Sequence, residues 1–253
     1  MAALKQRSGL ETLGGVARNE RRAVVHPSPS PDLQAACMSF PEYLVSNYDD
    51  LLLSARDHLF IVVISIVLGT LVALALGILT YRSARGRTIA LGVTGTILTI
   101  PSLALYTLLV VFGLGLGTKP VVVALTLYSL LPIVRNTITG LLGVDPAIVE
   151  SAQGMGMGRW QRLFRIELPL AWPVIITGIR VSTMVVVGIA ALGAIVNGPG
   201  LGALIFDGLR RIGSPVAVNL ALAGTLGIVL LGIFIDGLFI LLTRATTPRG
   251  IRD

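Results

Sequence analysis

Five long apolar stretches, separated by shorter polar ones, organise the chain from residue 58 onward. His58–Tyr81, Ile89 to about Gly113, Pro120 to about Leu142, Leu170–Val196 and Val216–Leu242 are each long enough to cross a bilayer as a helix, which takes roughly 20 residues. In lipid every backbone polar group must be satisfied within the segment. The expected fold is therefore all-α: a polytopic membrane protein of about five transmembrane helices. Pro101, near the middle of the second stretch, removes one backbone bond and is expected to kink that helix. Gly113-Leu-Gly-Leu-Gly117 with Lys119 reads as an outer turn. Asn197 to Pro215 reads as a polar outer stretch in which Asp207 offsets one of Arg210 and Arg211. No convincing internal repeat is found, which weighs against inverted-repeat secondary carriers.

The flanks read differently. Residues 1–37 are polar, carry Lys5, Arg7, Arg18, Arg21 and Arg22, and end in His26-Pro-Ser-Pro-Ser-Pro31. They lack the apolar core of a secretory signal, and their composition predicts disorder. Met38 opens a segment that reads as a natural start, and translation is expected to begin there. Residues 38–57 form an expected outer interfacial segment, in which 39–56 alternate apolar and polar positions as a short surface helix would. The transmembrane domain is then 58–243, and 244–253 is a tail carrying Arg244, Arg249 and Arg252.

Composition sharpens this. Charged residues make up 13% of the chain, about half the roughly one quarter usual for soluble domains, against 54% hydrophobic residues. A net charge of +7 would suit nucleic acid, but the arginines gather in loops between apolar runs. Arg82, Arg85 and Arg87 follow the first crossing directly, whereas Glu42, Asp49, Asp50 and Asp57 precede it against Arg56 alone. The positive-inside rule then runs that crossing inward, with the N-terminus outside and the C-terminus in the cytoplasm. The single Cys37 excludes an intrachain disulfide, and no Cys/His cluster has metal-ligand spacing. His26 and His58 read as surface or interfacial histidines. Neither H-E-x-x-H nor a Ser/His/Asp set supports an enzyme, and no G-x-x-x-x-G-K-[ST] would bind a nucleotide.

The polar segment 145–169 must face water. Asp145 can cap a short helix whose first helical position is Pro146, and Glu150 falls in its early turns, where the helix dipole favours a negative charge. Gly154, Gly156 and Gly158 break that helix, and a glycine permits the positive φ of a tight reversal. A second helix carries Arg159, Arg162 and Arg165 on one basic face, expected to meet lipid head groups. Pro169 is expected to end it and start the next crossing. Glu150, Ser151, Ala152, three residues, Gly156, nine residues, then Ile166, Leu168 and Pro169 resemble the cytoplasmic coupling loop of bacterial ATP-driven (ABC) importer permeases, with Ser151 the one departure.

Thr99-Ile-Pro-Ser-Leu-Ala-Leu105, Tyr128-Ser-Leu-Leu-Pro-Ile-Val-Arg-Asn-Thr137, Gly154-Met-Gly-Met-Gly158 and Gly200-Leu-Gly202 resemble one subgroup, the permeases of glycine betaine/carnitine/choline (osmoprotectant) importers. The resemblance spans roughly residues 53 to 245. It implies a type I importer permease in the bacterial inner membrane that performs no covalent chemistry and holds no cofactor. It implies three kinds of partner: ATP-binding subunits that seat on Glu150, Ala152 and Gly156, a second permease subunit, identical or paralogous, and a separate extracytoplasmic substrate-binding protein. An importer of another small solute, such as an amino acid or a thiol-betaine, is the rival within transport. A passive channel or a scaffold is the rival outside it.

Pro101, Ser102, Tyr106, Tyr128 and Asn136 are candidate pathway residues, with Phe112 a further aromatic; taken singly, each aromatic reads more readily as packing or an interfacial anchor. Within the bilayer a charge must find a partner or water. At about 1.5 Å per residue, Arg135, Arg180 and Asp236 lie roughly 10–14 Å from the inner ends of their helices. That shared depth suggests an Arg180–Asp236 pair, with Arg135 reaching inward, acting as a gating bridge or as bundle glue.

Overall fold

The computed structural model describes residues 38–246, so the expectations for 1–37 and for the end of the tail lie outside the described residues. Ten α-helices follow in order: α1 (Phe40–Ser46), α2 (Tyr48–Thr80), α3 (Ala84–Thr99), α4 (Ser102–Leu109), α5 (Thr118–Leu142), α6 (Pro146–Gly154), α7 (Arg159–Arg162), α8 (Leu168–Ala190), α9 (Gly202–Arg210) and α10 (Val216–Thr246). A π-helical turn, Leu163–Glu167, joins α7 to α8, and a 3-10 turn, Ala191–Val196, prolongs α8. By length and composition α2, α5, Arg159–Val196 and α10 can each cross a membrane, and α3 with α4 makes a fifth crossing if the bent pair counts as one.

Helix α5 is the centre of the bundle: 56% of its most apolar window is buried, against 6% for α10. Helices α2 and α8 lie along its two sides. Small residues allow this close approach, as is usual where lipid removes the hydrophobic driving force between helices. Gly69 and Gly77 of α2 sit against Ser129 and Thr137 of α5, and Gly178 of α8 sits against Asn136. The Ser182 hydroxyl also donates to the Ser129 carbonyl at 2.6 Å.

Three expectations change. The first concerns residues 38–57, which do not form one interfacial segment. The chain breaks at Asn47, and α2 begins at Tyr48, well before the apolar run. Asp49 and Asp50 fall in its first turn, where acidic side chains suit the helix dipole. The apolar run marks what lipid would cover, not where the helix starts. His58 is accordingly interior rather than interfacial: it is fully buried, and its Nε2 meets the Val187 carbonyl at 3.1 Å.

Next, the second crossing is broken rather than kinked, with α3 and α4 meeting at 95°. Ile100 precedes a proline and is extended (φ −67°, ψ 128°), as steric conflict with the proline ring requires. Two tyrosines fix the break. Tyr128 of α5 donates to the Ile100 carbonyl at 2.8 Å, and Tyr106 of α4 donates to the Ile189 carbonyl at 3.1 Å. Tyr128→Phe should therefore leave a half-buried carbonyl without its donor and destabilise the protein by about 0.5–1.5 kcal/mol. Thermal unfolding in detergent measures this, and an unchanged midpoint would show that the break stands without the tyrosine.

The third change is at Pro169, which ends nothing. It lies in the first turn of α8 and so starts that helix as expected, but the backbone enters it helically through the preceding π turn. The run from Arg159 to Val196 is continuous enough to count as one span. The expected outer stretch also holds a helix, α9, on which Arg210 pairs with Asp207 at 3.0 Å.

Candidate coupling site

At the end of the bundle where α5 finishes, α6 packs on α7 and leaves most of its surface uncovered. The Asp145 carboxylate caps it by accepting from the Ala147 N–H at 2.8 Å, and Pro146 occupies the first helical position. Ala152 is its one buried residue; Ile148, Glu150 and Ser151 are exposed, as is Met155 just beyond it. Glu150 enters none of the ion pairs among the described residues. The Ser151 hydroxyl turns back to the Ala147 carbonyl at 2.7 Å. Beyond the helix, Ile166 and Leu168 are half-buried and Pro169 is exposed.

Gly156 closes α6 by a defined motif. Its φ is +80°. Its N–H donates to the Gln153 carbonyl at 2.9 Å, and the Met157 N–H donates to the Ala152 carbonyl at 3.1 Å. These are the paired bonds of a Schellman cap, whose left-handed residue is ordinarily glycine. Gly154 remains helical and Gly158 has a negative φ. Of the three glycines expected to break the helix, only Gly156 takes the positive φ.

Behind the turn lies a carboxylate that sequence reasoning passed over. The Glu167 side chain is 3% exposed. It accepts from the Tyr81 hydroxyl at 2.7 Å, from Arg82 Nη2 at 3.0 Å and from Arg162 Nε at 2.9 Å. Arg162 Nη1 reaches Gln153 Oε1 on α6 at 3.3 Å, and Arg87 Nη1 donates to the Tyr81 carbonyl at 2.7 Å. The expected basic face is thereby split. Arg162 is buried on Glu167 instead of meeting head groups, because a desolvated guanidinium needs a carboxylate. Arg159 and Arg165 stay exposed beside the stacked rings of Trp160 and Phe164. The available signal was a lone acid just after three arginines, in Ile166-Glu167-Leu168-Pro169.

Of the candidate pathway residues, Tyr106 and Tyr128 come together at the break beside Pro101, and Asn136 lies farther along α5. Tyr106 and Tyr128 are buried with their hydroxyls on backbone carbonyls, Asn136 donates to its own helix at Pro132, and Pro101 is exposed at the break. Ser102 is half-buried and Phe112 is 73% exposed. A cleft of about 550 Å³ between α2 and α10 is lined by Leu59, Val62, Ile66, Ile235 and Phe239, with Thr183 alone polar. Such a lining cannot orient a hydrophilic solute. Half-exposed between α8 and α10, Arg180 and Asp236 form a two-pronged pair, Nε to Oδ1 at 2.6 Å and Nη2 to Oδ2 at 2.7 Å. Arg135 is exposed on α5 and enters no ion pair among the described residues.

Comparison with known proteins adds the following. Residues 61–248 match the family described as binding-protein-dependent transport system inner membrane component. The chain is 38% identical over 210 residues to the glycine betaine/carnitine/choline transport system permease protein OpuCB of Bacillus subtilis, covering 83% of this chain and 94% of that one. It is 39% identical over 214 residues to the osmoprotectant import permease protein OsmW of Salmonella typhimurium, covering 83% and 98%. Among solved structures, an inward-facing MetNI methionine ABC transporter superposes with a TM-score of 0.70 at 21% identity, over 83% of this chain and all of that one. The last likeness bears on the fold.

Proposed function

Because the chain belongs to the family of inner-membrane components of binding-protein-dependent transport systems, and so is a membrane-spanning permease subunit of an ABC importer, we propose that its cargo is a small quaternary amine of the glycine betaine, carnitine or choline class. Names of the relatives support the cargo. Transport follows from membership; the further reading concerns how it is driven.

The observation that carries this reading is α6: a capped, sharply terminated helix with one buried residue, presenting Glu150 and the apolar Ile148 and Met155 to the surroundings. A helix held this rigidly yet left uncovered suits a partner's groove. The proposed partner is an ATP-binding subunit, two of which work with two permease subunits, identical or paralogous, while an extracytoplasmic receptor delivers the solute. ATP is bound by the partner, and closure of the paired ATPases moves α6 as a rigid body. Sidedness follows from charge. The contacts of Glu167 bring Arg82 and Arg162 to the α6 end, and Arg85 and Arg87 follow Arg82 in the chain. The positive-inside rule then puts that end in the cytoplasm and the N-terminus outside.

Two experiments test it. In a Cys37→Ser background, Glu150→Cys should crosslink to an ATP-binding subunit in native membranes, and purification of the assembly should bring down a receptor loaded with a quaternary amine. Reaction of that cysteine with an impermeant thiol reagent applied from outside would refute the sidedness, and a receptor loaded with an amino acid would refute the cargo. Separately, Gly156→Val forces a branched side chain into positive φ at a cost of about 1–2 kcal/mol. Transport should fall while the bundle's unfolding midpoint barely moves, because the strain is local to α6. Wild-type transport by this variant would mean that the Schellman turn is dispensable.

A further inference from the structure

Helix α6 has two covalent links to the bundle, the short stretch after α5 and the glycine turn at 155–158, and both are single strands of backbone. A push on α6 could be absorbed there. Among the described residues, a side-chain hydrogen-bond route between α6 and the Glu167 cluster runs from Gln153 to Arg162, from Arg162 to Glu167, and from Glu167 to Tyr81 and Arg82. These last two lie where α2 ends, and Arg87 at the start of α3 holds the Tyr81 carbonyl.

We infer that Glu167 is the positioning residue that carries the movement of α6 into α2 and α3, as well as into α8, which begins at the next residue. The inference rests on the proposed docking of an ATPase to α6. Its physical basis is stiffness. Charge-assisted hydrogen bonds are short and roughly twice as strong as neutral ones, and burial strengthens the one between Arg162 and Glu167 further. The carboxylate sits between two guanidinium groups, and both are held by the same Oε1 at 2.9 and 3.0 Å. Without its charge the two cations would face each other uncompensated and part. Gln153 would then move with α6 while Arg82 stayed behind. Coupling through such a network needs no contact between Glu167 and either ATP or cargo.

A simple rivet and a coupling joint make different predictions. Loss of a rivet lowers the amount of folded protein, so transport and nucleotide hydrolysis fall together. Loss of the joint lowers transport per ATP hydrolysed. The test uses the complete importer in vesicles, with radiolabelled glycine betaine as the probe and hydrolysis and uptake measured on the same preparation. Glu167→Gln keeps the shape of the side chain, removes its charge and places two N–H donors where Tyr81 or the arginines must donate. It should assemble with the ATPase and hydrolyse ATP, while uptake per ATP drops roughly tenfold. Tyr81→Phe, which removes one donor to Glu167 and the acceptor of Arg82 Nε but keeps the carboxylate and both charges, should shift the same ratio in the same direction by less. It also provides the reading should Glu167→Gln fail to assemble. A wild-type ratio in both variants, or parallel loss of uptake and hydrolysis in Tyr81→Phe, would overturn the inference. A wild-type chain that captures no ATPase would instead overturn the docking on which it stands, and the inference with it.

Discussion

Gly202→Ala should be the most damaging single methyl group in the protein. Gly202 opens α9 directly against the 3-10 turn that follows α8. A Cβ built there falls on the carbonyl oxygen of Ala191 and lies 2.7 Å from both its carbonyl carbon and its Cα. All three are backbone atoms, so no side chain can swing aside. Either the turn or α9 must shift, and α9 also packs along α10. Overpacking of this kind costs about 3 kcal/mol or more, enough to remove a large share of the folded protein. Membrane yield and the unfolding midpoint in detergent both report it. Gly95→Ala is the matching control: it lies in α3 with nothing within 4 Å of an added Cβ. It should be neutral or slightly stabilising through helix propensity. Equal behaviour of the two variants would mean that α9 does not pack as described.

The second large effect is expected at the Arg180–Asp236 pair. Helix α10 buries little of itself, so a two-pronged bond from Asp236 to the core helix α8 is a principal fixed point along it. Asp236→Arg sets two guanidinium groups against each other within the depth of the bilayer, where neither finds bulk water. Arg180→Asp does the same with two carboxylates. Uptake into vesicles should fall to background in each single reversal and recover substantially in the double reversal, because the paired geometry is restored with its polarity exchanged. Recovery of folded yield without recovery of uptake would assign the pair to holding α10 in place. Recovery of both would allow it a part in gating. Absence of any recovery would discard the pair as an interacting unit.

Much of the candidate coupling site was legible in the sequence, because its determinants are local. A cap needs an acceptor just before a helix, supplied by Asp145. A proline at the first helical position needs no neighbour beyond the chain itself. A reversal needs a glycine, and the spacing of Glu150, Ala152 and Gly156 puts these on one short element. The Arg180–Asp236 pairing was legible for a related reason: few charges occur in the apolar runs, and helical rise places these two at one depth. Glu167 and the tyrosines were not legible in the same way. The partners of Glu167 include Tyr81 and Arg82 from another helix, and nothing in the spacing along one helix distinguishes a carboxylate that will be buried from one that will face water. Arg162 shows the same gap, since its periodic neighbours Arg159 and Arg165 are exposed while it is not.

The sequence by itself determined that this chain crosses a membrane, which end carries the positive charge, and that a capped, glycine-terminated helix interrupts the apolar pattern. Each is a property of composition or of a few consecutive residues, fixed by hydration and backbone sterics. Tertiary structure decided how the second apolar run breaks at Pro101, why His58 is interior, and that a single carboxylate ties α6, α8 and the end of α2 together. Those outcomes depend on which helix stands next to which. A proline frees a carbonyl in any sequence, but only the tyrosine that α5 brings to Ile100 fixes what that freedom becomes.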